Sequence, residues 1–380
     1  MPTLAFVGCL NREAPYFQGA RGKGIAVFAF DEDSGRLTAL AETRGIDNPT
    51  YLSIHAGNGC LYANSEVFGW AEGTVSAYRI DPATGRLTYL NKQPTLGSIT
   101  AHNSIDRSGR HLLVANYAMG RELPDQSVVV LPIRSDGSLG APACSRAHEG
   151  TGPVASRQER SHAHCIHASP DNRFVFVADL GIDRLVCYRF DGASGELASA
   201  GQPTLALKPG SGPRHFVFHP GGRLAYLINE LSSTIAALRY DPQHGAFALI
   251  EEVPALPPDH AGESHCADIQ ITPDGRFLYG SNRGHDSIVI HAVDPDSGRL
   301  TLVGHQPTLG RTPRSFAIDP SGRFLLAANQ NSDSVVVFRI DPATGALAET
   351  GERAEVGTPM CVRLARFQAD GDARERPAGG

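Results

Sequence analysis

The stretch ITPDGRFLYGSNRGHDSIVIHAVDPDSGRL, residues 271–300, decides how this chain folds. A Pro-Asp-Gly-Arg turn leads into the apolar run FLYGSN, and a second run, SIVIHAVD, ends at the turn DPDSG. Short runs rich in β-branched and aromatic residues, bounded by Pro, Asp and Gly, read as strands. The 3.6-residue spacing of an amphipathic helix is absent here and elsewhere in the chain.

The second turn occurs seven times, as DEDSGRL, DPATGRL, RSDGSL, DGASGEL, DPQHGAF, DPDSGRL and DPATGAL. Its glycines, Gly35, Gly85, Gly137, Gly195, Gly245, Gly298 and Gly345, are spaced 50, 52, 58, 50, 53 and 47 residues apart. The first turn precedes most copies, in DRSGRHLLVAN, SPDNRFVFVAD, HPGGRLAYLIN and DPSGRFLLAAN. A short run such as HFVFH stands before it, and another such as LTLVG closes the unit. Four short strands repeated at this period make one blade of a β-propeller.

The chain ends decide closure. The N-terminus opens on a second-type strand, LAFVGC, and the C-terminus finishes on a lone first-type strand, TPMCVRLARF. The expected fold is therefore all-β: a single seven-bladed β-propeller over residues 1–367, with four-stranded antiparallel blades. Its N- and C-terminal strands share one blade, which closes the ring and hides its edges. Residues 368–380, QADGDARERPAGG, read as a disordered tail.

Composition excludes several function classes. A net charge of -6, with no basic cluster, argues against a nucleic-acid partner. No run approaches the roughly 20 apolar residues that span a bilayer, and no signal-peptide pattern opens the chain. Seven cysteines, an odd number without a C-x-x-C pair, read as free thiols in a reducing compartment, with the cytoplasm expected. A monomer or weak homodimer is expected.

In a blade the first strand starts, and the second ends, on the same face of the disc. Aligned copies put Thr50, Ala101, His164, Arg214, Ala267, Arg314 and Met360 at the first of these positions. The second holds Ser65, Tyr117, Leu180, Glu230, Arg283 and Gln330, each after an Asn or Asp that satisfies turn backbone. His164, Arg214, Glu230, Arg283 and Arg314 thus converge on one mouth of the central channel. Three arginines with one carboxylate call for an anionic ligand. Tyr117, Asn282 and His265 join Arg314 as substrate-binding candidates, and ESHCAD brings Glu263, His265 or Asp268 toward the same mouth. In SHAHCIH, His162 and His164 share a strand face and His167 takes the other, so no metal site is expected. His215 or His219 is expected at a blade interface as a core histidine.

The chain resembles the lactonase family of seven-bladed β-propellers, through NPTYLSI, LLVANY, GPRHFVFHP, AYLINELSSTI and the segments around residues 169–185, 268–288 and 313–341. The resemblance implies a catalytic set of His164, Arg214, Glu230 and Arg283, and no cofactor. It implies hydrolysis of an anionic sugar lactone, 6-phosphoglucono-1,5-lactone first. In that scheme Glu230 is the general base, Arg214 holds the oxyanion, His164 protonates the ring oxygen, and Arg314 with Arg283 holds the phosphate. The alternatives are cyclisation of a carboxymuconate and a non-catalytic propeller that binds an anion or a partner. Two segments, 118–125 and 145–161, depart from the family pattern and lie on the presumed active face.

Overall fold

The computed structural model describes residues 2–119, 125–199 and 204–367. The tail expected at 368–380 and most of the 118–125 segment fall outside these residues. Seven antiparallel sheets form the ring, six of them built from consecutive strands. The seventh is shared: the C-terminal strand Pro359–Arg366 is its innermost member and pairs with Thr3–Cys9, followed by Ile25–Phe30 and Leu37–Thr43. Both the blade count and the shared closure agree with the repeat. One blade adds a short fifth strand, Leu205–Ala206, against Arg184 and Leu185. No helix among the described residues is long and apolar enough to cross a membrane.

The repeated glycines explain the repeated turn. All seven have positive φ, between 65° and 83°. In six copies the glycine N–H closes onto the carbonyl of the leading Asp, as Gly345 does onto Asp341 at 2.8 Å. A Cβ on Gly345 would stand 2.3 Å from the Phe277 ring of the neighbouring blade, so this glycine answers both turn geometry and blade packing. The core lies between blades. Seven apolar clusters each span two neighbours; one joins Phe324, Leu326 and Ala328 to Ala5, Val7 and Phe28 of the shared blade.

One irregularity recurs and positions the site. The innermost strands slip register at the residue where they leave the channel mouth: between Thr100 and His102, Ala163 and Cys165, Pro213 and His215, Cys266 and Ile269, and Pro313 and Ser315. The strand Pro359–Arg366 skips Met360 in the same way. A bulge leaves one residue unpaired and re-aims its side chain. The bulges hold Ala101, His164, Arg214, Ala267 with Asp268, Arg314 and Met360, which include every residue that the repeat aligned except Thr50.

Candidate active site

A cavity of about 700 Å³ opens at this mouth, walled by His164, Glu230, Arg283, Arg314, Tyr117 and His265 among others. Three further residues enter from the loops that cover the face: Tyr16, Glu66 and Arg157. A smaller cavity of about 430 Å³, beside Cys9, Lys23, Glu42 and Glu355, lies between outer strands of two blades and gathers none of these groups.

Glu230 is the centre of the floor. Its Oε2 accepts from Arg214 Nε at 2.9 Å and faces Arg283 Nη2 at 2.9 Å, while Oε1 accepts from Arg157 Nη2 at 2.5 Å. Burial alone would raise this carboxyl; Arg283, Arg157 and Arg214 outweigh it and hold Glu230 well below the ordinary carboxylate range. It is a carboxylate at any working pH.

The guanidiniums differ in how they are held. Arg214 is 2 % exposed, behind the cavity wall. It spends Nη1 on the Ala267 carbonyl at 2.6 Å and on His215 Nε2 at 3.2 Å. Burial first, then Arg283 and Arg314, lower it to about 9, still cationic at neutral pH. Arg283 donates to the carbonyls of His265 at 3.3 Å and Cys266 at 3.0 Å. Arg314 makes no hydrogen bond to any described residue. It lies 5.3 Å above the Tyr16 ring and 4.0 Å from Glu66 Oε1, and its side chain is 14 % exposed into the cavity. Glu66 is itself held by the hydroxyls of Thr50 at 2.7 Å and Tyr16 at 3.0 Å.

His164 stands beside the Tyr117 ring, and its Nδ1 is buried without a partner among the described residues. Burial, then Arg214 and His215, push it well below its ordinary value, so it is neutral. Tyr117 is clamped from the other side by His162, stacked at 4.1 Å and donating from Nδ1 to the Tyr117 carbonyl at 2.7 Å.

The structure brings together Glu230, Arg283, His164, Arg314, Tyr117 and His265, and moves two expected residues out of the cavity. Asn282 is fully buried and not in the wall: it donates to the Ala255 carbonyl at 2.8 Å and accepts from the Cys266 thiol. Its counterparts Asn116 and Asn329 in other blades bond loop carbonyls in the same way, and Asn64 bonds the carbonyl of Thr100 at a strand start. Arg214 underlies the site instead of facing it. The charge balance also differs from expectation, because Glu66 and Arg157 join: four buried or half-buried guanidiniums face two buried carboxylates, with Glu159 and Glu263 exposed at the rim. Of the ESHCAD residues, Glu263 and His265 reach the rim, while Asp268 lies deeper and accepts from His215 Nδ1 at 3.0 Å. His215 is thus the interface histidine.

The bulge in SHAHCIH lies at His164, and beyond it ordinary alternation puts Cys165 and His167 on one side. With His102 they form the one His/Cys/carboxylate cluster of metal-ligand dimensions among the described residues. His102 accepts the Ile166 N–H at Nδ1 and so presents Nε2–H to the Cys165 sulfur at 3.5 Å, an arrangement that suits a hydrogen-bonded core better than a metal ligand. Tyr16, Glu66 and Arg157 were not read from the sequence. For Tyr16 and Arg157 the available signal was loop length: NREAPYFQGARGKG and the 145–161 segment are long connections on the active face, where function concentrates, while Glu66 stands one residue past the aligned strand end at Ser65.

The family described as Lactonase, 7-bladed beta-propeller, matches the chain over residues 5–364. The chain belongs to this family. It is therefore a lactonase-type enzyme. A 6-phosphogluconolactonase from Bacillus subtilis is 39% identical over 297 residues, 78% of this chain and 81% of that one. Another, from Formosa agariphila, is 37% identical over 317 residues, 83% of this chain and 86% of its own. A periplasmic gluconolactonase from Pseudomonas aeruginosa has a solved structure that superposes with a TM-score of 0.88. It is 34% identical and covers 97% of this chain and all of that one. The lactonase fold thus presents the Glu230 cage and Arg314 in one cavity.

Proposed function

We propose that the protein hydrolyses 6-phosphoglucono-1,5-lactone to 6-phosphogluconate. The observation that carries this reading is Arg314: a guanidinium with no hydrogen bond to a described residue, facing a sugar-sized cavity whose floor already holds more cations than carboxylates. A phosphate accepts such donors bidentately. The names of the Bacillus and Formosa relatives support the same substrate.

Water attacks the lactone carbonyl carbon, and its proton passes to Glu230. Arg283, facing the cavity, stabilises the oxyanion in place of the buried Arg214. As the carbon–ring-oxygen bond breaks, Glu230 returns the proton to the ring oxygen. A carboxyl held this acidic is a weak base but a willing donor. Neutral His164 has no proton to give up and serves as a hydrogen-bond donor to the leaving oxygen. Arg214 holds Glu230 in place and links it to His215 and Asp268.

The acidic rim and the Glu66 carboxylate near Arg314 favour a second reading, an unphosphorylated gluconolactone, the substrate class named for the Pseudomonas relative. Assaying both lactones with wild type and Arg314→Ala separates the two. For the phosphorylated substrate the variant should raise KM about 30-fold or more, the loss of one or two charge-assisted hydrogen bonds. An unchanged KM, or wild type preferring the unphosphorylated lactone, would reject the first reading. The seven described cysteines are free and buried, which supports a reducing compartment, and cell fractionation tests the cytoplasm.

A further inference from the structure

We propose that Arg157 changes partner during turnover: it covers Glu230 Oε1 in the free protein and moves to the carbonyl oxygen of the bound lactone, uncovering Oε1 for the attacking water. The inference rests on the lactonase reading of the site and assigns a catalytic residue beyond the set that the family resemblance implies.

Tethering is the first argument. Arg214 and Arg283 are each bound to backbone carbonyls as well as to Glu230, and moving either would strand buried acceptors. Among the described residues Arg157 touches only Glu230 Oε1 and, at 3.5 Å, the Tyr117 hydroxyl. Its side chain is 33 % exposed and lines the cavity.

The backbone beneath it is firm, so the freedom is confined to the side chain. Gln158 is fully buried, donates from Nε2 to the Leu180 carbonyl at 2.8 Å, and accepts the Val154 N–H at 3.1 Å. The Gly152 N–H bonds the Gln158 carbonyl, and the amides of Arg157 and Gln158 both bond the Val154 carbonyl. Arg157 is thus a flexible arm on a fixed pivot at the cavity edge.

Chemistry supplies the need. With three guanidiniums on its two oxygens, Glu230 has little basicity, and Arg157 occupies the one oxygen, Oε1, that Arg214 and Arg283 leave to the cavity. The groups facing it are Arg157, Arg214, Arg283, Arg314, His164 and Tyr117, and of the three guanidiniums bonded to it only Arg157 can leave at small cost. Its transfer also follows the charge. As the water–carbon bond forms and the water proton goes to Oε1, the carbonyl electron pair moves to oxygen, where Arg157 receives it. When the ring oxygen departs with the proton from Glu230, Arg157 stays on the product carboxylate, and it returns to Glu230 as the product leaves.

The test combines structure and kinetics. Wild-type crystals soaked separately in 6-phosphogluconate and D-gluconate should show Arg157 on the product carboxylate and withdrawn from Glu230. Arg157→Ala should lose about 100-fold in kcat, the scale of one oxyanion donor, with KM changed far less. Arg157→Lys should recover part of it, lacking the fork but keeping the charge. A liganded structure with Arg157 still on Glu230, or Arg157→Ala with wild-type kcat, overturns the proposal. If wild type opens no lactone, the lactonase reading itself fails, whereas Arg157 unmoved by a bound product refutes the exchange alone.

Discussion

Asn282 and Arg283 are adjacent in sequence and opposite in role. The strand Phe277–Arg283 ends at the channel mouth, so Asn282 turns into the blade and Arg283 toward the cavity. Asn282→Ala removes one of two partners of the Ala255 carbonyl, the other being His305 Nε2 at 3.1 Å, and takes away the acceptor of the buried Cys266 thiol. That should cost about 1–3 kcal/mol of stability while KM stays within twofold. Urea denaturation and steady-state kinetics check both, and a raised KM at unchanged stability would return Asn282 to the substrate. At this scale the sequence was legible wherever register alone decides: Glu230, Arg283, His164 and Arg314 stand where the aligned copies put them. It was not legible where the answer depends on how deep a side chain lies. Arg214 and Arg314 occupy equivalent bulges, yet Arg214 meets Glu230 and Ala267 and is buried, while Arg314 meets none of the described acceptors.

Among the elements, the strand Pro359–Arg366 carries the largest share of the closure. It pairs with Thr3–Cys9 along its length and buries Met360, Cys361, Val362, Ala365 and, just beyond it, Phe367. Burial of larger apolar side chains contributes about 1.5–3 kcal/mol each, against a total stability of about 5–15 kcal/mol. Ending the chain at Gly357 should therefore abolish the cooperative melt and render the protein protease-sensitive. A truncated chain with the wild-type melting temperature would show that closure is dispensable. The repeat announced this strand because it is a first-type run without a partner nearby in sequence. The bulges were silent in sequence, since a bulge adds one residue to an otherwise ordinary alternating run.

Across the whole molecule, the channel below the cavity is walled by a ring of polar contacts. The Tyr51 ring lies against His102 at 4.0 Å, tilted by 39°, His215 bonds Asp268, Ser315 donates to Asp268 at 3.0 Å, and Arg363 lies 4.6 Å from the Tyr51 ring. Three histidines, His102, His164 and His215, are buried here, and a fourth, His167, is half-buried. Burial is the first cause for each: it holds His102 and His164 well below the ordinary value, His167 at about 3 and His215 at about 4. Between roughly pH 6.5 and 4 the unfolded chain binds protons at these sites that the folded chain refuses, so stability falls as pH drops. Each such histidine contributes a slope of about 1.4 kcal/mol per pH unit within its window. Glu230 and Asp268, held below their ordinary values, add a loss of the same sign at still lower pH. The melting temperature should accordingly fall steeply from pH 7 to pH 5. A flat profile over that range would contradict the buried, neutral state of these rings.

By itself the sequence determined the blade count, the shared closure and the face on which the site lies, because a repeat of about 50 residues repeats its hydrogen bonding and burial. It also determined which positions reach the channel mouth, through strand register. Only the tertiary structure decided which of those side chains meet, which are buried beneath others, and which loop residues enter from above. Tyr16 and Arg157 come from long connections that obey no repeat, and Glu66 stands just past a repeat-aligned strand end, where Thr50 and Tyr16 hold it. Charge balance in the cavity is a sum over such contacts, so it took the folded ring to show Arg314 facing the cavity and Glu230 caged.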